Sequence, residues 1–309
     1  MPLVSAGMEL KQLETFLVVA RHLHFTRAAR ELGYVQSSVT AHIKALEAEL
    51  GVALFERLGR RVTLTEPGRE LCGHARALLG QAEQAREAVR DAGEDPHQVR
   101  GTLRVAAPES LCAYHLPPVL RAMRTRFPLL RLAFQPAGRG PLLDALAEGT
   151  LDAGFLQEEA VDSPGVRAER MRRELLRLVC RPEHPLAGKP LVSTAELAGE
   201  TVLLLEPGCV QRVVMERELS RAGLSPQTIE FFSLKALRRC AAAGLGVGLA
   251  PASSVDEEIA RGELAVLPWE HEPVLDIFFV RHAARAMTPA VRELAGLARE
   301  LWSEAEPRT

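Results

Sequence analysis

The sequence predicts a chain of three parts: a small helical domain with a β-hairpin, one long helix, and an α/β region of two lobes. Three observations support this prediction. Two short segments with helical apolar spacing meet at Gly33, a heptad-spaced segment follows Thr65, and strands alternate with helices from Arg100 onward. A chain of 309 residues has room for two or three such units.

The composition indicates a globular protein with full cores, since 47% of the residues are apolar and 25% are charged. The net charge of -2 gives no overall basic field, so any nucleic-acid binding has to be local. No apolar run reaches the length of about 18 residues that a membrane span needs. The N-terminus lacks the order of a secretory signal. Five scattered cysteines suit reduced thiols, and the histidines form no metal-ligand spacing, so we expect a cytoplasmic protein without a cofactor or metal.

Residues 26–50 form the segment around which the first domain is organised. Thr26 is a candidate cap for a first helix, and Gly33 supplies the left-handed conformation that ends it. In the second helix Val39, Ile43 and Leu46 recur at helical spacing and predict one buried face. The preceding segment 9–22 has its own apolar stripe and is expected to support this pair.

The opposite face of the second helix is polar. It carries Gln36, Ser37, Thr40, His42 and Lys44, which are short or amide-bearing groups able to bond base edges and phosphates. Two helices with such a face have the form of a helix-turn-helix whose second helix reads DNA. The simpler interpretation, a solvated helix surface, accounts for the segment by itself about equally well.

A basic hairpin after this pair favours the DNA interpretation. Arg57, Arg60 and Arg61 flank a turn at Gly59, and Val62 alternates with its neighbours as in a strand. Such a wing can contact phosphates or enter a minor groove, although an isolated cluster of this kind is more often a solvated turn. The predicted DNA-binding residues are Thr26, Arg27, Gln36, Ser37, Ser38, Thr40, His42, Lys44, Arg57, Arg60, Arg61 and Thr63.

A long helix is predicted after the hairpin. Thr65 can cap it, and Pro67 is tolerated in the first turn, where its missing amide would have no partner. Apolar residues then follow at alternating spacings of four and three, which predicts a seam for a partner helix. A helix packed on its own domain is the alternative, but the polar segment 91–98 resembles a linker. The predicted dimerisation residues are Leu71, Ala75, Leu78, Ala82, Ala85 and Val89.

From Arg100 onward the alternation of strands and helices predicts parallel sheets covered by helices. Roughly 210 residues of this pattern suit two lobes better than one large sheet. The predicted strands are 102–106, 130–134, 152–155, 175–180, 201–205, 228–231, 247–250 and 275–280, and the predicted helices are 116–127, 141–148, 210–222 and 288–303.

With these parts in order, the chain resembles the LysR-type transcriptional regulators over essentially its whole length. The specific match is FTRAARELGYVQSSVTAHIKALEAELGVALFERLGRRVTLTEPG, with weaker support from GTLRVAAPES, EGTLDAGF, HPLA and AAAGLGVGLAP. The resemblance implies a winged helix-turn-helix at 8–65 and a linker helix and hinge at 66–97. It further implies a two-lobed, periplasmic-binding-protein-like (type 2) α/β effector domain at 98–309. Lobe I would comprise 98–162 and 269–309, and lobe II 163–268.

The resemblance also implies residue roles. The family's base-reading glutamine matches Gln36, its following small residue matches Ser37, and its hydroxyl one turn later matches Thr40. Two departures stand out: Val35 occupies a position where a small hydroxyl is usual, so that Ser37 or Ser38 would have to support the start of the helix. Ala41 and His42 replace long polar residues, which implies fewer phosphate contacts or a different preferred half-site.

For the effector domain, helix N-termini at a cleft between the lobes would form anion sites. The resemblance places the ligand near two such segments and near three strand ends. A carboxylate or an amino-acid-like compound would suit these termini, while Glu109 either points away or selects a ligand with an amine. The predicted effector-binding residues are Glu109, Ser110, Leu111, Gln135, Phe155, Cys209, Val210, Phe232 and Ser233.

Cys209 also invites a redox interpretation, because a helix N-terminus favours the thiolate. Peroxide-sensing relatives pair such a cysteine with a second one, whereas the segment 210–223 contains none. Pocket lining or packing is therefore the preferred role for this thiol.

The functional expectation is a DNA-binding regulator, a homodimer or homotetramer on double-stranded DNA, that changes its oligomer geometry when a small effector binds. An α/β enzyme is the second class, but neither a Gly-x-Ser-x-Gly elbow nor a phosphate-binding Gly-rich loop is present, so no enzymatic activity is expected. A solute-binding transport component would account for the C-terminal lobes alone, and it would need a signal peptide.

Overall fold

The computed structural model describes residues 7–58, 61–91 and 99–303, without the side chains of 57, 58, 61, 83, 84, 87–91 and 303. The chain divides into two compact units. The first comprises Met1–Asp95 with Asp144–Leu151, and the second comprises Pro96–Leu143 with Asp152–Thr309. In the described part of the chain, every helix is too short or too polar to cross a membrane.

Three helices form the core of the first unit: α1 (Leu10–His22), α2 (Phe25–Leu32) and α3 (Gln36–Leu50). Their buried faces include Phe16, which packs against Phe55 with ring centroids 5.4 Å apart. Gly33 ends α2 with a φ of 68°, in the left-handed region where glycine avoids the steric cost of a Cβ.

Two helix starts differ from expectation. The side chain of His24, and not that of Thr26, caps α2 by accepting from the amide of Arg27. Thr26 is already inside the helix, so the predicted cap lies two residues after the observed one. At the start of α3, Val35 occupies the cap position without any side-chain cap.

The predicted wing is present as a two-stranded antiparallel hairpin. Strand β1 (Phe55–Leu58) pairs with β2 (Arg61–Leu64), and Leu58 lies opposite Arg61. Residues 59–60, which include Gly59 and Arg60, lie outside the described residues, as do the side chains of Arg57 and Arg61.

The long helix α4 (Glu66–Asp91) begins as predicted, since the amide of Gly68 donates to Thr65 Oγ1 at 3.1 Å. Part of its apolar seam packs on its own unit: Ala75 is fully buried in the three-helix core, and Leu71 contacts that core. Packing of α4 on its own unit, the alternative to a seam for a partner helix, therefore explains these two positions. Leu78 is 37% exposed and Ala85 is exposed. The side chain of Val89 lies outside the described part.

The second unit alternates strands and helices. Its strands are β3 (Gly101–Ala107), β4 (Leu130–Pro136), β5 (Ala153–Glu158), β6 (Val166–Cys180), β7 (Thr201–Leu204), β8 (Gln227–Glu230), β9 (Val247–Pro251), β10 (Ala265–Leu267) and β11 (Val274–His282). Its helices are α5 (Glu109–Tyr114), α6 (Leu116–Arg126), α8 (Val210–Arg221), α9 (Leu234–Ala242), α10 (Ala252–Ala260) and α11 (Pro289–Ser303), with a 3-10 turn at Thr194–Gly199. The helix α7 (Arg139–Glu148) belongs to the second unit up to Leu143 and to the first unit from Asp144.

The strands are mixed in direction, which corrects the expectation of parallel sheets. Their order is β4-β3-β5-β11-β6-β9-β7-β8, with β10 on β6. Pairs β3–β4, β3–β5, β7–β8 and β7–β9 are parallel, whereas the long strands β6 and β11 are antiparallel to their neighbours. The first half of β6 was missed because it is rich in exposed charges and lacks an apolar alternation.

The second unit has two lobes, each with its own hydrophobic packing. One core surrounds Phe155, Phe279 and Trp302 and includes residues of α6 and α11. In the other lobe, a core on one face of the sheet includes Trp269 and Met215, and a second core on the other face includes Leu237. Strand β6 runs between the lobes, because it pairs with β11 at one end and with β9 and β10 at the other.

Candidate functional sites

The exposed face of α3 presents a row of polar side chains. Gln36, Ser37 and Lys44 are exposed and Thr40 is half-buried, while Val39 and Ile43 on the other face are buried. Arg27 on α2 is also exposed. The apolar packing of α3 thus leaves its amide and hydroxyl groups available on one side of the domain, as a reading helix requires.

Gln36 is held in place by a neighbouring helix. Thr26 Oγ1 donates to Gln36 Oε1 at 2.9 Å, and Thr40 Oγ1 donates to the Gln36 carbonyl oxygen at 2.9 Å. The first bond fixes the amide orientation and leaves its two N–H donors for a partner outside the domain. Because fixing a side chain in advance lowers the entropic cost of binding, Thr26 acts as a positioning residue for Gln36.

We expect Thr26→Val to weaken sequence-specific DNA binding by about 2- to 13-fold, since losing a hydrogen bond of this type costs roughly 0.5–1.5 kcal/mol. Thr26→Ser keeps the hydroxyl and should bind like the parent chain. Fluorescence anisotropy with the specific duplex measures both affinities. Equal losses for the two variants would assign the effect to packing of the threonine methyl group.

Two of the predicted DNA-contacting side chains, His42 and Thr63, have partners inside the unit, and a third, Ser38, is partly covered. His42 Nδ1 lies 2.9 Å from Oγ1 of the buried Thr15, and the His42 ring meets Tyr34 edge-on at 5.8 Å. Because Thr15 Oγ1 also donates to a backbone carbonyl, it accepts from His42. Thr63 Oγ1 donates across the hairpin to Glu56, and Ser38 is half-buried. His42 therefore keeps only Nε2 for an outside partner, so its role is at least partly structural.

A cavity of about 500 Å³ lies in the second unit, at the end of β5 and beside the first turns of α7 and α8. Its size is that of a small-molecule site. It is lined by Pro108, Glu109, Ser110, Pro136, Ala137, Gly138, Arg139, Gly140, Pro141, Leu156, Gln157, Glu158, Glu206, Pro207, Gly208, Cys209, Val210 and Gln211.

Four of the predicted effector residues line this cavity: Glu109, Ser110, Cys209 and Val210. The others do not. Leu111 and Phe155 are fully buried in a hydrophobic core, which corrects their expected place on the cavity wall.

The remaining three predicted residues also lie away from the lining. Gln135 precedes the lining residue Pro136, Phe232 is 83% exposed, and Ser233 stands at the start of α9. They remain sequence-based predictions.

The residues that sequence reasoning missed include Arg139, Gln157, Glu158 and Gln211. A signal for two of them was present, because Gln157 and Glu158 are polar residues at the carboxyl end of a buried strand. Ligands of α/β proteins bind at such strand ends. Arg139 is the first residue of α7 and Gln211 lies inside α8, so neither had a comparable sequence signal.

Three buried polar side chains form one wall of the cavity. Gln157 is 2% exposed, Gln211 4% and Ser110 9%. Gln157 Oε1 receives Ser110 Oγ at 3.5 Å and Gln211 Nε2 at 3.4 Å, both near the upper limit for a hydrogen bond. Among the described residues, Gln157 Nε2 has no hydrogen-bond partner. A buried amide with two unused donors indicates a missing acceptor.

Charged groups stand beside this wall. Arg139 Nη1 lies 3.9 Å from Glu158 Oε1, so the pair is loose, and the same nitrogen is buried without a hydrogen-bond partner in the described part. Burial raises the pKa of Glu158, Arg139 opposes that rise, and Glu159 adds to it. The cavity therefore contains a carboxylate and a guanidinium that do not form a hydrogen bond with each other.

Cys209 is a thiol in this environment. Burial raises its pKa to about 11, although the amides of Gln211 and Arg212 at the start of α8 act in the opposite direction. All five cysteines are free. In the described residues, no group of three or more histidine, cysteine or acidic side chains is arranged to hold a metal ion. The site thus has the features of a binding cavity with a protonated thiol on its wall.

The chain matches two family models: "Bacterial regulatory helix-turn-helix protein, lysR family" over residues 10–69 and "LysR substrate binding domain" over residues 96–303. It is 35% identical to the HTH-type transcriptional regulator YwqM of Bacillus subtilis, over 95% of this chain and 99% of that protein. It is also 35% identical to a probable hydrogen peroxide-inducible genes activator of Mycobacterium avium, over 94% and 93% of the two chains.

Among solved structures, full-length OxyR from Pseudomonas aeruginosa superposes with a TM-score of 0.74 at 28% identity and covers 96% of each chain. The fold therefore agrees with that of a full-length protein of known structure over 96% of this chain. Together with the family models and the two relatives, this shows that the chain belongs to the LysR family of DNA-binding transcriptional regulators.

Proposed function

We propose that this regulator reads a specific DNA sequence with α3, binds a small-molecule effector in the cavity beside β5, and changes its oligomer geometry on the promoter in response. The DNA is double-stranded, and the active form is a homodimer or homotetramer. An effector can drive this change only by its difference in affinity between the two geometries. The activity is regulatory, not enzymatic.

The polar face of α3 is the observation that carries the DNA-reading half of the proposal. Gln36 is exposed at the first turn and its orientation is fixed by Thr26. Helix-turn-helix proteins contact base edges with the N-terminal residues of the reading helix. A glutamine amide can bond an adenine edge through both its atoms, which makes Gln36 the principal candidate for base reading.

The wing and the flanking residues are proposed to position the domain. Lys44 and Arg27 are exposed cations on the same unit. Arg57 and Arg61 lie in the two strands of the hairpin, at its turn end. Contacts of this kind go to phosphates and set affinity and orientation, while they carry no sequence information.

The effector half of the proposal is supported by the cavity of the second unit. Buried polar groups without partners are costly, and functional sites are where they persist. Gln157 Nε2 and Arg139 Nη1 are two such atoms at one cavity of about 500 Å³. A bound molecule would satisfy both.

The proposed dimerisation is supported by the exposed remainder of the α4 seam. Leu78 and Ala85 are exposed and fall on the heptad spacing that was predicted for a partner helix. Two copies joined along α4 would present two reading helices to two half-sites about one helical turn apart or a multiple of it. Sedimentation of the intact chain reports the oligomeric state.

A gel shift with the DNA upstream of the chain's own coding sequence tests the proposal. The intact protein should shift this DNA at a concentration at least about 10³-fold lower than it needs for unrelated DNA of equal length, as specific regulators do. Equal affinity for the two duplexes would contradict sequence-specific regulation of this site.

We expect Arg61→Ala to weaken binding to all DNA sequences by a similar factor and to reduce the salt slope of log K by about 1. The physical reason is the loss of one phosphate contact and its released counterion. Titrations at four salt concentrations measure the slope for the variant and the parent. Identical slopes would remove Arg61 from the phosphate contacts.

Thiol-based peroxide sensing is the second candidate function, and the name of the Mycobacterium avium relative favours it. The environment of Cys209 opposes it, because the thiolate is the reactive form and burial raises the pKa of this thiol to about 11. The effector proposal also explains the unpartnered atoms of the cavity, which a thiol switch leaves unexplained.

A further inference from the structure

The cavity beside β5 contains hydrogen-bond donors without partners and a carboxylate in a loose ion pair. Gln157 is 2% exposed and its Nε2 has two unused donors, while Arg139 Nη1 is buried and unpartnered among the described residues. Glu158 lies 3.9 Å from that guanidinium, too far for a hydrogen bond. A ligand that satisfies this set needs an acceptor for the donors and a donor for the carboxylate.

The charges of the residues that line the cavity limit which classes of ligand can bind there. Three carboxylates, Glu109, Glu158 and Glu206, stand against the single guanidinium of Arg139. A dianion such as a phosphate ester would meet repulsion from three like charges. A monocarboxylate without an amine could reach Gln157 and Arg139, but it would leave Glu158, whose side chain is 19% exposed, without a cationic partner.

Resting on the proposed effector function, we propose that the ligand is a small zwitterion of the amino-acid class. Its ammonium group contacts Glu158, and its carboxylate receives Gln157 Nε2 and Arg139 Nη1. Binding replaces the loose Arg139–Glu158 pair with two close charge-assisted pairs, which are shorter and stronger than neutral hydrogen bonds. The N-terminal amides of α8, next to Cys209, favour the same negative end of the ligand.

Paired ligands test the class directly. Isothermal titration of the full chain with L-alanine and L-phenylalanine is compared with propionate and 3-phenylpropionate, which lack only the amine, and with inorganic phosphate. The remaining proteinogenic amino acids are screened by thermal shift. At least one amino acid should bind about 10-fold or more tightly than its des-amino partner, and phosphate should not compete.

Two variants distinguish the effect of a carboxylate inside the cavity from the effect of one just outside it. Glu158→Gln should lower the affinity for the amino acid by about 10-fold or more and leave the affinity for the des-amino acid unchanged or higher, because Arg139 then has no competing carboxylate. Glu159→Gln removes the same charge from the next residue. Glu159 pairs with Arg217 at 2.7 Å and does not line the cavity. This control variant should bind the amino acid as the parent chain does.

The pH dependence adds an independent readout. A raised pKa keeps a proton on Glu158 to higher pH, and that proton must leave before an ammonium group can pair with the carboxylate. Affinity for the amino acid should therefore still rise with pH above the ordinary glutamate pKa of about 4.3 in the parent chain. It should change much less in Glu158→Gln, which retains the other titratable and charged groups near the site: Arg139, Glu159, Glu109, Glu206 and Cys209.

The outcomes distinguish the ligand class from the effector function itself. If des-amino acids or phosphate bind as tightly as amino acids, or if Glu158→Gln changes nothing, the class is overturned. A hit from a general metabolite library would then still support an effector function. If no amino acid binds at all, the class is likewise overturned, while the DNA-binding half of the function is judged separately by the gel shift.

Discussion

His115→Ala is expected to lower the free energy of unfolding of the second unit by about 3–5 kcal/mol. His115 and Glu174 are both buried, and His115 Nε2 lies 2.7 Å from Glu174 Oε2. The Ser253 amide donates to Glu174 Oε1 at 2.9 Å, and the Ser253 hydroxyl lies 3.0 Å from His115 Nε2. Removing the imidazole leaves a buried carboxylate with too few donors, which is the costly case for buried charges.

The cluster also ties the two lobes of this unit together. His115 follows α5 and packs against Trp302, whose indole N–H donates to the His115 carbonyl oxygen at 3.1 Å. Ser253 belongs to α10, beside the sheet of the other lobe, and Glu174 lies on the strand β6 that runs between them. A loss of stability here is therefore expected to cost cooperativity between the lobes as well.

Urea unfolding followed by the fluorescence of the two tryptophans, both in the second unit, measures this effect. His271→Ala is the matched control, because His271 is 44% exposed and its ion pairs are 3.7 and 3.8 Å long. Such exposed pairs contribute roughly 0–1 kcal/mol. If both variants lost less than about 1 kcal/mol, the buried cluster would not contribute as the geometry implies.

The sign of the pH dependence follows from Glu174. Burial opposes its ionisation, but the hydrogen bonds from His115 and Ser253 outweigh burial and lower the pKa of the carboxyl. A lowered pKa stabilises the fold at pH values above the unfolded pKa of about 4.3. That contribution is lost as the pH falls through the lower pKa of the folded state. The stability difference between the parent chain and Glu174→Gln should therefore shrink below about pH 4.

Gly68→Ala is expected to destabilise the DNA-binding unit by about 1–3 kcal/mol, the usual range for overpacking. A Cβ at this position would stand 2.2 Å from the carbonyl oxygen of Leu54 and 2.9 Å from Leu64 Cδ2. The first of these is a backbone atom that cannot rotate away. The helix α4 would have to move from the hairpin, and the position of the wing would change with it.

The same helix provides the control. A Cβ on Gly73 would meet no heavy atom closer than 3.8 Å, which is ordinary contact. Because alanine is favoured over glycine in helices by about 1 kcal/mol, Gly73→Ala should stabilise the protein or leave it unchanged. Thermal unfolding and DNA affinity are measured for both variants. Equal behaviour of the two would show that the close approach at Gly68 is not retained in solution.

The sequence was most informative where one local rule decided the structure. Gly33 ends the first helix of the DNA-reading pair with a φ of 68°, and Thr65 caps α4 as its position predicted. The buried face of α3 followed from the spacing of Val39, Ile43 and Leu46. Periodicity and turn chemistry suffice for elements of this kind.

The sequence was less informative where contacts with distant parts of the chain decide which side chains are buried. Leu71 and Ala75 fit a heptad seam, but burial against the unit's own helices fits the same spacing, and only the fold separates the two. Phe155 stands two residues before Gln157 on β5, yet the first lies in the core and the second at the cavity. Which residue of a strand is the last one covered depends on the neighbouring strands and helices, and no local rule gives that position.

Gln36→Ala provides the most direct test of the central claim that α3 reads DNA sequence. The quantity to measure is the ratio of the affinity for the chain's upstream duplex to the affinity for random DNA, with folding checked by circular dichroism. Since a bidentate base contact contributes about 1–3 kcal/mol of discrimination, the ratio should fall by roughly 5- to 150-fold while random DNA binds as before. An unchanged ratio in a folded Gln36→Ala protein would contradict the account.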